Sequence, residues 1–215
     1  LSEFDPETHG KMYLYNDEND PIYSATRFLK QEWIDAGRPN LVLPFEDQVI
    51  SRSTSGRAPN PCTATSTQWT QGATGTVPTA DGDIAVTASK VTANAAFLVQ
   101  NGQTVNSAIL NSFSSDWEGI IYPTNTQLFG QPPDVDGNCQ IEIVLLAIDG
   151  PSNIGGYFAP SIANTREAIY VDVDDTGGSF GKVILAHEFE HLLHNSRDPY
   201  EYIWIDEGSA DMAAF

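Results

Sequence analysis

Basic residues are scarce: 10 Lys and Arg stand against 29 Asp and Glu, a formal charge of −19 over 215 residues. A field of that sign repels phosphate backbones and anionic headgroups, so nucleic acid and membrane surfaces are set aside as partners. It keeps a chain soluble and equally suits an extracellular medium rich in salt or calcium. Long apolar runs are lacking too, and none reaches the ~18–20 residues of a membrane-spanning helix. Cysteine is nearly missing. Cys62 and Cys139 are too few for a disulfide-dense scaffold and do not have zinc-ligand spacing. Two readings stay open: one long-range disulfide, implying an oxidising compartment, or two buried free thiols. The chain opens Leu1-Ser2-Glu3, without initiator Met or signal peptide, so a processed or trimmed piece is expected.

What is present is the composition of a folded globular protein, 40% apolar and 18% charged, on a chain long enough to bury a core. Residues 1–82 carry no assignable motif and are expected to form an N-terminal region of unknown role, irregular or β-rich. Within it Ile22, Ala25, Phe28, Leu29 and Trp33 recur at helical spacing, predicting a helix over residues 21–36 that Gly37 and Pro39 stop. Residues 51–82 are rich in Ser, Thr, Gly, Pro and Asn and read as loops and short edge strands.

From residue 83 the pattern sharpens. Residues 84–91 and 95–100 read as strands, 105–117 as an amphipathic helix, and 141–148 as a buried central strand. Short strands follow at 154–158 and 168–173. Residues 180–194, with Ser179 as N-cap, give the best helix, and another starts near 202. This order predicts an α+β domain over residues 83–215, a mixed sheet backed by helices.

His187-Glu188-Phe189-Glu190-His191 carries the chemistry. Residues i and i+4 share one helix face, so two imidazoles can close on one zinc at about 2.0–2.1 Å, with Glu188 displaced yet able to reach a water. A catalytic zinc needs a third protein ligand and an open position, and Glu207 in Trp204-Ile205-Asp206-Glu207-Gly208-Ser209-Ala210-Asp211 offers the carboxylate. The combination H-E-x-x-H plus W-x-x-E-G-x-A resembles the gluzincin metallopeptidases, the thermolysin-containing group. Over residues 83–215, with residues 117–130, Asp134-Val135-Asp136-Gly137-Asn138 and Gly155-Gly156-Tyr157-Phe158, it is similar to secreted bacterial peptidases of the hyicolysin type.

The resemblance implies a zincin-like fold, with a backing helix and an active-site helix, and a secreted zinc endopeptidase acting on proteins and peptides, expected to be monomeric. It implies His187, His191 and Glu207 as zinc ligands, Glu188 as general base and Asp211 as a partner of a ligand histidine. It further implies that residues 155–159, with Gly155, Gly156, Tyr157 and Phe158, pair with extended substrate. Tyr157, Tyr200 and Tyr202 are candidate oxyanion donors. Gluzincins carry a helical lower subdomain after the third ligand, so this domain is expected to be incomplete at Phe215. A zincin without catalysis, or a zymogen piece acting as a binding module, is the competing reading.

The metzincin pattern fails, because His194 and Arg197 stand where Gly and His are required. His194 is expected in solvent or beside a ligand, and Glu190 solvated or salt-bridged. Asp134, Asp136 and Asn138 form either a calcium cluster or a polar turn, and Asp172, Asp174 and Asp175 a second oxygen cluster of the same standing.

Overall fold

The computed structural model describes residues 24–37, 62–151 and 153–214. Residues 1–23 lie outside them, including the first three positions of the expected first helix. Among the described residues the strands are β1 (Thr74–Thr79), β2 (Gly82–Val91), β3 (Ala95–Gln100), β4 (Ile141–Leu146), β5 (Gly156–Phe158) and β6 (Ala168–Asp172). The helices are α1 (Thr26–Asp35), α2 (Ser107–Asp116), α3 (Tyr122–Phe129), α4 (Phe180–Asn195) and α5 (Ile203–Ala213). The protein is of the α+β class.

One six-stranded mixed sheet has the order β1-β2-β3-β4-β6-β5. The first two pairings are antiparallel, β3-β4 and β4-β6 are parallel, and β5 returns antiparallel along β6. The sheet begins before residue 83: β1 turns tightly into β2, in the segment whose composition suggested only loops and edge strands. Parallel central strands are covered on both faces, which is why β3, β4 and β6 read as unbroken apolar runs. Period-two alternation divides their side chains. Phe97, Ile143, Leu145, Ile169 and Val171 pack with Phe113, Trp117, Ile184, Leu185 and Phe189 on the helix side. Leu98, Val144, Tyr157 and Tyr170 pack with Val77 and Val86 on the other. Each fully buried large apolar side chain contributes roughly 1.5–3 kcal/mol.

Two extensions were not legible. The helix expected over residues 105–117 starts at Ser107, where Asn106 Oδ1 accepts the Ala108 amide at 2.7 Å, and continues past residue 117. A π-helical turn at Trp117–Ile121 joins α2 to α3, and Trp117 is fully buried against Phe189, ring centroids 4.7 Å apart. The cysteines form a disulfide, Cys62 to Cys139, closing a separation of 77 residues. It ties the segment before β1 to the start of β4. Among the described residues no helix is long and apolar enough to cross a membrane.

Candidate metal centre

Helix α4 runs beneath β5 and β6, and eleven of its residues, including His187, Glu188, Glu190 and His191, are buried. Ser179 takes the expected N-cap place without a side-chain cap bond. From α3, Asn125 Nδ2 donates to the carbonyl oxygen of Ala186 at 2.9 Å, fixing the backbone just before His187. Helix α5 crosses α4 and presents Asp206, Glu207 and Asp211 to it.

The structure brings His187, His191 and Glu207 together. The Nε2 atoms of the two rings lie 3.1 Å apart. Glu207 Oε2 is 3.5 Å from His187 Nε2, and Glu207 Oε1 is 3.8 Å from His191 Nε2. Donors around a tetrahedral zinc at about 2.05 Å stand about 3.3 Å apart, so this set is close to the span such an ion needs. Glu207 Oε1 is shut from water and has no hydrogen-bond partner among the described residues. Two imidazole nitrogens and a carboxylate oxygen left so in a buried space could hold a cation between them. The residues fit a zinc ion.

A carboxylate stands behind each ring. Asp211 Oδ1 lies 3.3 Å from His187 Nδ1, as expected, and Asp206 Oδ1 lies 3.3 Å from His191 Nδ1, an ion-pair contact in which neither atom completes a hydrogen bond among the described residues. Such carboxylates set the tautomer that turns Nε2 toward a metal and raise its basicity. Burial alone would lower the His187 pKa, but hydrogen bonds to the Asp211 and Glu207 carboxylates and the charge of Glu188 push it up to about 10. His191 is likewise raised against its burial, mainly by Asp206. Burial would raise Asp206, yet His191 and Lys30 hold its carboxyl well below the usual carboxylate range. Asp211 is lowered, first by its bond to His187.

Glu188 is wholly buried. Its Oε2 accepts the Thr26 hydroxyl at 2.6 Å, while Oε1 has no partner among the described residues. Burial pushes its pKa up, opposed by His187, His191, Thr26 and Ser24. Glu190, expected in solvent or salt-bridged, is fully buried, with Oε1 3.2 Å from His194 Nδ1. His194 is raised, first by that bond. Lys30 completes the group, its Nζ 2.6 Å from Asp206 Oδ2.

Gly155, Gly156, Tyr157 and Phe158 are buried along β5. The β5 edge away from β6 is already met: the Ala25 amide donates to Gly156 O at 2.9 Å, and the Phe158 amide donates to Thr26 Oγ1 at 2.7 Å. Tyr157 belongs to the other face. It stacks on Tyr170 with its hydroxyl accepting the Ala80 amide, and burial pushes its pKa up to about 12. Tyr200 and Tyr202 are exposed on the approach to α5.

The Asp134–Asn138 segment is a turn whose polar groups bond one another. Asp136 accepts from the Asn138 amide and side chain, Asp134 from the Cys139 amide, and Asn138 Oδ1 from the Gln140 amide. Asn138 is thus committed, and the carboxylate that joins Asp134 and Asp136 is Glu167. Asp172 accepts backbone amides on both oxygens, from Ile148 and Asp149 on one and Asp174 on the other.

Sequence reasoning missed Asp206, Thr26 and Lys30. Asp206 was findable as a second carboxylate one step from Glu207 on the same helix; Thr26 and Lys30 share one face of α1 at i and i+4. No known family model matches the chain, and no curated protein shows significant similarity to it. The resemblance to gluzincins rests on its motif residues.

Proposed function

We propose that this chain is the catalytic core of a zinc-dependent endopeptidase of the gluzincin kind, hydrolysing peptide bonds in proteins and peptides. The observation that carries the reading is the convergence of His187, His191 and Glu207 on one buried point beside the Glu188 carboxylate. A zinc ion held by these three residues would act as a Lewis acid toward the scissile carbonyl and would bring the pKa of a bound water toward about 7. Glu188 then receives the proton lost by the attacking water and returns it to the departing amine. Asp206 and Asp211 hold the two imidazoles with Nε2 turned inward throughout. The disulfide supports placement in an oxidising, extracellular compartment.

A zymogen-like reading has two observations in its favour. Glu188 has no exposed surface, and residues 24–26 occupy the β5 edge that the resemblance assigns to substrate.

The deciding experiment is metal analysis of the purified chain, together with casein and gelatin hydrolysis with and without a chelator. Stoichiometric zinc and chelator-sensitive cleavage, restored by added zinc, are expected. A chain that carries zinc yet cleaves nothing would favour the zymogen-like reading. One that carries no zinc would sink both.

A further inference from the structure

Helix α1 buries the wrong residues for a simple cover. Its buried positions are Thr26, Lys30 and Trp33, while Phe28 is exposed. Taking a hydroxyl and an ammonium out of water costs free energy unless each is fully engaged. Replacing a buried ion pair with apolar side chains is often neutral or stabilising. A helix that only shielded the sheet would therefore be better served by two aliphatic residues at these places. Both polar groups are spent on the metal centre instead. Resting on the function proposed above, we propose that α1 is a working part of the site: Thr26 is the positioning residue of the Glu188 carboxylate, and Lys30 that of the His191 imidazole, acting through Asp206.

The hydrogen bonds give each residue a single geometry. A threonine hydroxyl has one proton to donate. Thr26 Oγ1 already accepts the Phe158 amide at 2.7 Å, which ties it to β5, and its proton goes to Glu188 Oε2 at 2.6 Å. One oxygen of the base is thereby pinned, and the other, Oε1, has no hydrogen bond among the described residues. Lys30 does the same for Asp206. Its Nζ holds Oδ2 at 2.6 Å, and Oδ1 is left 3.3 Å from His191 Nδ1. Without the ammonium, Oδ2 would lose the contact that fixes it, and only the ion-pair approaches of His191 and His194 to Oδ1 would orient the carboxylate.

Two substitutions in the full chain separate these roles. Zinc affinity is read by competition with a chromogenic chelator, and kcat and KM on an internally quenched peptide, per zinc-loaded molecule. Thr26→Val is expected to lower kcat about 10- to 100-fold with KM and zinc affinity near wild type, and Thr26→Ser to restore turnover. Lys30→Met is expected to weaken zinc binding about 10- to 100-fold, with a smaller loss of turnover at saturating zinc. If Lys30→Met does not fold, Lys30→Gln, which keeps a donor and loses the charge, carries the same expectation. Parallel loss of affinity, turnover and thermal stability in both variants would mean that α1 is only scaffold, and would overturn the proposal. So would wild-type kcat in Thr26→Val, or a raised kcat, which would show the hydroxyl blocking the base. If the wild-type chain takes no zinc, the endopeptidase reading falls as well; if it takes zinc and cleaves while the variants fail to separate, this inference falls alone.

Discussion

Asp206 and Glu207 are chain neighbours that serve opposite nitrogens of one imidazole. Asp206 Oδ1 stands 3.3 Å from His191 Nδ1, and Glu207 Oε1 stands 3.8 Å from His191 Nε2. Consecutive helical residues diverge by about 100°, so the two carboxylates reach round α4 from different sides. One turn later Asp211 reaches His187 Nδ1. A single short helix thus supplies all three carboxylates that face the two histidines.

Glu188→Gln keeps the size of the side chain and an oxygen for the Thr26 hydroxyl, and removes only the proton acceptor. Turnover should fall by about 10²–10⁴-fold, the usual worth of a general base. Zinc content should not change. Near-normal peptide cleavage by this variant would refute the role assigned to Glu188.

Asp206 and Asp211 stand at equal distances from their rings but differ in burial, with side-chain exposures of 3% and 71%. Removing either should weaken zinc binding by about 10- to 100-fold. Their effects on stability should part. Asp206→Ala leaves the Lys30 ammonium buried and unpaired, a defect that costs roughly 3–5 kcal/mol. Asp211→Ala should stay within about 1 kcal/mol, as expected of an exposed pair. Urea unfolding of the zinc-free forms gives the comparison, and similar losses in both would contradict the burial argument.

Gly156 is needed because β5 lies directly on the active helix. A Cβ there would stand 2.5 Å from Tyr170 O and 2.6 Å from Ile184 Cγ2, with Glu188 Cγ at 3.5 Å. Backbone on one side and a packed branch on the other leave no room to yield. Gly156→Ala should cost about 1–3 kcal/mol, as overpacking does. It should also lower kcat, because the strand it displaces carries the amide that holds Thr26. Unchanged melting and unchanged turnover would show that β5 can lift away freely.

Much of this was readable before any coordinates. The i, i+4 histidines declare their shared face, and Glu207 and Asp211 were singled out by the resemblance to gluzincins; the structure brings both carboxylates to the two rings. Period and apolarity also located β2, β3, β4 and α4. What stayed hidden depends on partners far along the chain. On α1 the apolar residues mark one stripe, yet Phe28 is exposed and Thr26 and Lys30 are buried. Their partners Glu188 and Asp206 lie 162 and 176 positions away, and local hydrophobicity carries no trace of them. Strand β1 is one of the short edge strands that the composition of residues 51–82 suggested, but its bounds were not legible: Thr74-Gly75-Thr76-Val77-Pro78-Thr79 has weak strand character, and pairing with β2 decides its conformation.

Glu167 gives a pH test well away from the paired histidines. Burial, with the nearby charges of Asp136 and Asp134, pushes its pKa up to about 7, against the lowering effect of the Val135 amide that donates to it. Unfolding returns the carboxyl to its ordinary value of 4.5. Between these two values the folded chain binds more protons here than the unfolded chain does. The contribution of this group to stability is therefore greatest below the lower value and declines as pH rises toward 7. Glu167→Gln keeps an oxygen for the Val135 amide and cannot ionise. Relative to wild type it should gain stability steadily across that window in urea titrations, whatever the other groups contribute. A wild-type-minus-variant difference that stays flat with pH would mean that the carboxyl ionises as freely in the fold as out of it.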